Sequence, residues 1–211
     1  MNKLILLLTL FATSVFASCP NLYPKSVEIA PAGTVELCNS FYVIRFDPVK
    51  NVNIFSAEVL QPKGRQIERL NNFHHDTRLP KSPVPNDYAK TGFDKGHMVP
   101  AANSTTVEEM SETFLMTNMT PQVPTLNRIA WKQLEENVRE IAKEEGESIH
   151  VITIAVYNGK ESMHGIPIPS GYFKAVFAKN IDVFYADNKE HAKVITTTME
   201  MLESTVGFKI Q

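Results

Sequence analysis

The sequence predicts an α+β fold, with a central antiparallel sheet flanked by helices. Runs rich in β-branched and aromatic residues at 41–46, 54–60, 149–157, 172–178 and 181–185 read as strands. Apolar residues at helical spacing over 126–141 and 192–202 read as helices packed by one face. These elements come in mixed order without a regular strand–helix–strand rhythm, which disfavours a parallel doubly wound sheet.

Residues 1–17 read as a secretory signal peptide. Lys3 gives a positive start, 4–16 is mostly apolar, and Val15-Phe16-Ala17 ends on a small residue. The run is too short, and too soon followed by polar chain, for stable membrane insertion. Residues 18–211 then form a single domain of about 190 residues, enough for one core. The chain has two cysteines, Cys19 and Cys38, and in an exported protein they are expected to pair. Closing that loop stabilises the fold by roughly 3 kcal/mol in the chain-entropy picture. Phe16-Ala17-Ser18-Cys19 is similar to a lipoprotein box, which would lipidate Cys19, but phenylalanine stands where leucine is usual. The disulfide is preferred, and the expected location is secreted or periplasmic.

There is no internal repeat and no low-complexity linker. Pro80, Pro83 and Pro85 make 71–92 an irregular excursion, and a short extended segment at 93–99 is closed by Pro100. Thr106-Val107-Glu108-Glu109 is a capping box that starts a helix packing Met110, Phe114 and Leu115. Thr125, after Pro124, is the expected N-cap of a longer helix with the stripe Leu126, Ala130, Leu134, Val138 and Ile141, ended by Gly146. Asn188 is expected to cap a C-terminal helix whose inner face is Ala192, Ile195, Met199 and Leu202.

The formal net charge is −2, and without Lys3 it is 20 basic against 23 acidic residues, or −3. That excludes a protein holding nucleic acid by bulk charge. Positive charge is nevertheless concentrated. Residues 61–95 carry seven lysines and arginines against four acidic residues, and six acidic residues crowd into 135–147 as a solvated helix face.

Hydrolysing a phosphodiester requires a base for water, a metal for the charge on phosphate and leaving oxygen, and cations for the ground state. His97, in Asp94-Lys95-Gly96-His97, suits the base because an unperturbed imidazole is available near neutral pH. Gly96 would let backbone and substrate approach closely. Asn127 lies in the first turn of its helix, where its amide oxygen can face a hard cation that keeps most of its water. Glu135 follows eight residues later, rotated by about 80° and displaced by about 12 Å on an ideal helix, so it would reach the metal through water. Arg139, one turn on, can pair with Glu135 and contact phosphate.

Competing readings exist for several of these residues. Glu135 and Arg139 taken alone are an ordinary surface pair. His74-His75-Asp76 is a poor chelate, because adjacent residues in extended chain point to opposite sides. Asp94 and His97 could serve a hydrolase triad, but the Gly-x-Ser-x-Gly elbow is missing. Asn103-Ser104-Thr105 and Asn118-Met119-Thr120 are formal glycosylation sequons that read as chance matches.

In combination, Asp94-Lys95-Gly96-His97, Asn118 to Gln122, Leu126-Asn127, Trp131 and Leu134-Glu135 resemble the DNA/RNA non-specific endonuclease family of the ββα-metal (His-Me finger) type. The resemblance runs from about Cys38 to Gly207 and is tightest over 92–103 and 117–139. It implies a ββα-metal motif with His97 as general base and Asn127 as sole direct protein ligand of Mg²⁺, with Mn²⁺ able to substitute. Glu135 would hold the metal's water, Asn118 would shape the catalytic site, and Arg139 and Arg69 would bind substrate phosphate. Trp131 would pack beneath the metal helix, and Lys174 in Tyr172-Phe173-Lys174 would be structural. Lys95 stands where the family signature has arginine, keeping the charge without the bidentate fork. The implied activity is cleavage of DNA and RNA to 5′-phosphate and 3′-hydroxyl ends, and the resemblance leaves room for a homodimer or a protein inhibitor. The alternative is a catalytically impaired relative acting as an exported nucleic-acid-binding or surface-interaction protein.

Overall fold

The computed structural model describes residues 19–25, 27, 31–63 and 67–210; the signal peptide read at 1–17 lies outside them. Among the described residues no helix is long and apolar enough to cross a membrane.

The architecture is α+β, as the patterning predicts. Seven strands form one antiparallel sheet. In spatial order they are β1 (Val35–Cys38), β2 (Tyr42–Asp47), β3 (Val52–Leu60), β6 (Ile149–Val156), β9 (Gly171–Phe177), β10 (Ile181–Asp187) and β11 (Ile195–Thr197). Two small pairs lie outside it: β4 (Asp94–His97) with β5 (Met119–Gln122), and β7 (Ser162–Met163) with β8 (Ile166–Pro167). The α-helices are α1 (Val107–Thr113), α2 (Lys132–Glu145) and α3 (Met199–Val206).

Alternation of side chains along the strands gives the sheet two buried faces. On one, Phe55, Ile152, Ile154, Phe173 and Val183 pack against Leu202 of α3 and against Tyr23 of the N-terminal segment. The Cys19–Cys38 disulfide, with Cα atoms 6.0 Å apart, ties that segment to β1. On the other face, Leu60, Val151, Tyr172 and Val176 pack against Trp131, Leu134, Val138 and Ala142 of the α2 region. Glu58, Thr153 and Lys174 share the strand phase of this second face, so a polar strip crosses it beneath α2.

Two expected boundaries move. The C-terminal helix begins after Thr198, whose hydroxyl accepts from Met201 N at 3.2 Å, and not after Asn188. Ile195-Thr196-Thr197 is β-branched throughout and pairs with the edge of β10, leaving Ile195 exposed. The Asn188 side chain instead fastens other segments, accepting from Val123 N and donating to the Pro121 and Pro169 carbonyls.

Thr125 likewise is no N-cap. Its backbone is already helical, Pro124 occupies the first turn, and its hydroxyl donates to Glu190 and accepts from His191 N. The turn that follows, Leu126–Trp131, is wound as a π-helix before α2 continues to the left-handed Gly146. The capping box at Thr106–Glu109 forms as read, and Met110 and Phe114 are fully buried behind it.

Candidate active site

β4, β5 and the helix entered through the π turn make a ββα unit. β4 presents Lys95 and His97, β5 pairs with it in register Gly96↔Thr120 and His97↔Met119, and the helix presents Asn127, Glu135 and Arg139. A cleft of about 410 Å³ lies between them, and Arg69, Lys95, His97, Asn127, Glu135 and Arg139 all line it. Arg128 and Lys132 add charge to the same wall.

The π turn has a geometric effect. On an ideal helix Asn127 and Glu135 would be about 80° apart in azimuth, but one extra residue absorbed in a wide turn brings them to within about 20°. Both therefore face the cleft.

His97 rests on an aromatic pair. Its ring meets Phe114 edge-on with centroids 5.1 Å apart and Phe73 at 5.8 Å, while Phe73 and Phe114 contact each other at 4.8 Å. The same rings carry the flanking cations, with Lys95 Nζ 4.9 Å from the Phe73 centroid and the Arg69 guanidinium 4.9 Å from that of Phe114. Burial, helped by the Arg69 charge, pushes the His97 pKa down to about 3; a hydrogen bond to the Lys95 backbone opposes this. That bond favours the protonated nitrogen, so the ring donates to the Lys95 carbonyl. Nε2 is buried and has no hydrogen-bond partner among the described residues. A neutral imidazole with a bare Nε2 is the form a general base requires.

Asn127 is oriented by Asp94. Its Nδ2 donates to Asp94 Oδ2 at 2.8 Å, and Arg128 Nε donates to the same oxygen at 2.8 Å. Burial alone would raise the Asp94 pKa, but the bonds from Arg128 and Asn127 outweigh it and hold the carboxyl below its ordinary value. With the amide nitrogen committed, the amide oxygen is the end left to meet a hard cation. A single neutral oxygen donor, with Glu135 one cleft-width along the helix, fits Mg²⁺ better than a soft metal.

Glu135 has a raised pKa from burial, opposed by Lys174, Arg139 and Arg69. Lys174 is itself buried, with Nζ donating to Thr153 Oγ1 at 2.7 Å and lying 5.3 Å from the Trp131 ring centroid. Trp131 is buried beneath the helix against Tyr172.

Asn118, in contrast, does not line the cleft. It is fully buried, with Oδ1 accepting from Val99 N and Nδ2 donating to the Val99 and Thr113 carbonyls. It fixes the chain leaving His97. Gly96 also differs from expectation: a Cβ there would overlap the Gln122 side chain, so its space serves packing against β5 and not substrate approach. Asp76 commits its carboxylate to Arg78 and Thr117, which removes it from any chelate with His74. Both sequon asparagines are buried.

Sequence reasoning passes over Glu58, Asn103, Phe73 and Phe114 as parts of the site. A charged residue at an inward strand position is the available signal for Glu58 and Lys174, and a buried sequon asparagine carries none.

A ββα unit holding a histidine on its strand and an asparagine on its helix, across a cationic cleft, defines the ββα-metal class. The chain belongs to the DNA/RNA non-specific endonuclease family, whose profile matches residues 22–204. It is similar to a nuclease of Nostoc sp., at 42% identity over 89 residues covering 40% of this chain and 32% of that protein. Mitochondrial endonuclease G of Bos taurus is 33% identical over 108 residues, covering 48% and 36%. The mitochondrial nuclease 1 of Schizosaccharomyces pombe is 26% identical over 209 residues, covering 82% and 64%. The chain thus spans between a third and two thirds of the length of these relatives. A solved EndoG/EndoGI complex contains the same fold, with a TM-score of 0.69 at 22% identity covering 82% of this chain and 83% of that one.

Proposed function

We propose that this protein is a divalent-metal-dependent endonuclease that hydrolyses DNA and RNA with little sequence preference and acts outside the cytoplasm. The observation that carries the reading is the unpartnered Nε2 of His97, set in one cationic cleft with the Asp94-oriented amide of Asn127. Family membership and the nuclease names of the relatives support it. The apolar N-terminal run and the Cys19–Cys38 pairing support export.

In the proposed step His97 Nε2 accepts a proton from water, and the hydroxide attacks phosphorus in line with the departing 3′ oxygen. With the other ring nitrogen engaged by the Lys95 backbone, Nε2 would be the nitrogen left to take that proton. Arg69, Lys95 and Arg139 bind the non-bridging phosphate oxygens, a set that reads backbone and not base. Asn127 Oδ1 would hold Mg²⁺, or Mn²⁺ in its place, and Glu135 would fix its water. When bound, the ion stabilises charge on the leaving oxygen. The products are 5′-phosphate and 3′-hydroxyl ends. A protein inhibitor is a further proposed partner, since the similar solved structure is that of EndoG in complex with EndoGI, in which EndoG is inhibited.

The test incubates the purified protein with plasmid and with RNA, in Mg²⁺ or EDTA, beside His97→Ala. Metal-dependent cleavage lost in the variant is expected. Binding without cleavage would overturn the enzymatic reading, and full activity in His97→Ala would overturn the mechanism.

A further inference from the structure

We infer that Asn103, oriented by the buried carboxylate of Glu58, is a positioning residue for Arg139. The inference rests on the nuclease reading only in taking Arg139 as a phosphate contact. Asn103 is 7% exposed and follows β4 in the turn after Pro100. Its Nδ2 donates to Glu58 Oε2 at 2.8 Å, and its Oδ1 accepts from Arg139 Nη1 at 3.3 Å. A carboxamide is nearly symmetric in shape but opposite in chemistry at its two ends. Turned over, it would set its N–H groups against the guanidinium and its oxygen against the carboxylate. Glu58 therefore selects the orientation that offers Arg139 an acceptor. One nitrogen of Arg139 is held, and the rest of its donor fork is left for the cleft it lines.

Lys174 completes the arrangement. It is buried on the same face of the sheet as Glu58 and lies within its electrostatic reach, so a second cation opposes the carboxylate. Arg139 is thereby spared from collapsing onto Glu58 as its sole counter-charge. The polar strip across an otherwise apolar sheet face has a purpose in this arrangement: it carries, through Asn103, the register of a cleft side chain.

The experiment is a double-mutant cycle in binding, which needs neither metal nor turnover. Affinity of the disulfide-bonded protein for a fluorescein-labelled 12-mer single-stranded DNA is measured by anisotropy in EDTA for wild type, Asn103→Ala, Arg139→Ala and the double variant. Asn103→Ala and Arg139→Ala are each expected to weaken binding by about 3–10-fold, and the double variant to match Arg139→Ala within about twofold. Losses that multiply, or wild-type affinity in Asn103→Ala, would overturn the inference. If circular dichroism shows Asn103→Ala unfolded, Asn103→Ser is carried through the same cycle. Mg²⁺-dependent plasmid cleavage by the wild type decides the nuclease reading separately, so the two can fail independently.

Discussion

Asp94 accepts a hydrogen bond from Asn127 Nδ2 at 2.8 Å, and this bond decides which end of the Asn127 amide faces the cleft. The first residue of the Asp94–His97 segment thus controls a residue on the opposing helix. Replacing its carboxylate by a carboxamide removes that control, because the new side chain could turn its own N–H groups toward Asn127. Asp94→Asn is expected to weaken metal binding by about 10–100-fold, the usual cost of losing an orienting partner behind a ligand. Titration with Mn²⁺, read by electron paramagnetic resonance of the free ion, measures it. Unchanged affinity would show that Asn127 is not oriented by this bond.

Much of this site is legible in sequence because its residues lie on elements with clear local signals. Asn127, Glu135 and Arg139 follow an apolar stripe, so spacing places them on one helix, whereas His97, on an extended segment closed by Pro100, joins them only through the family resemblance. What spacing cannot show is the π turn at 126–131, since no residue there announces it and its effect is a change of azimuth. Motif position assigns Asn118 to the site, whereas its amide is consumed by Val99 and Thr113. β11 escapes a sequence reading because three residues pairing with a distant edge have no local period, and Ile195 fits a helical stripe equally well. Glu58 and Asn103 need tertiary structure to meet across 45 residues of chain.

Lys95 occupies the position at which the family signature has arginine, and its ammonium lies over Phe73 and Tyr88, with Nζ 4.9 and 5.8 Å from the ring centroids. A point charge contacts one phosphate oxygen where a guanidinium can span two. Lys95→Arg is therefore expected to raise kcat/KM on plasmid DNA by about 3–10-fold, equivalent to roughly 1 kcal/mol of transition-state stabilisation. Steady-state cleavage kinetics check this. A fall in kcat/KM would mean that the aromatic surroundings are fitted to lysine.

Gly96 is required by packing. Its α-carbon pairs with Thr120 in the β4–β5 register, and any Cβ overlaps the side chain of Gln122, the diagonal neighbour two residues on. Gly96→Ala should destabilise the protein by about 1–3 kcal/mol in urea denaturation, the range for overpacking a close-packed site. Because the obstacle is the Gln122 side chain from its Cβ outward, Gly96→Ala combined with Gln122→Gly should recover a good part of the loss. Absence of recovery would place the strain elsewhere.

His97 and Glu58 impose opposite pH dependences on stability. His97 has its folded pKa pushed down to about 3, below the ordinary 6.5, so the unfolded chain takes up the proton first. Its contribution is full above pH 6.5 and is lost as pH falls from there toward 3. Glu58 has its folded pKa raised by burial from 4.5 to about 7, so the folded chain takes up the proton first. Its contribution is full below pH 4.5 and is lost as pH rises through 7. Between about 4.5 and 6.5 the two slopes oppose one another, and wild-type stability should vary little there on their account. Glu58→Gln copies the protonated carboxyl in shape and charge. Its Tm relative to wild type should therefore be nearly constant below pH 4.5 and climb as pH rises from 5 to 8. His97→Gln should behave in the opposite sense, gaining relative to wild type only as the medium is acidified below pH 6.5. Differential scanning calorimetry of the three proteins from pH 4 to 8 measures both trends. A Glu58→Gln difference that stayed flat across pH 5–8 would mean that Lys174 and Arg139 keep the buried carboxylate ionised at no cost to the fold.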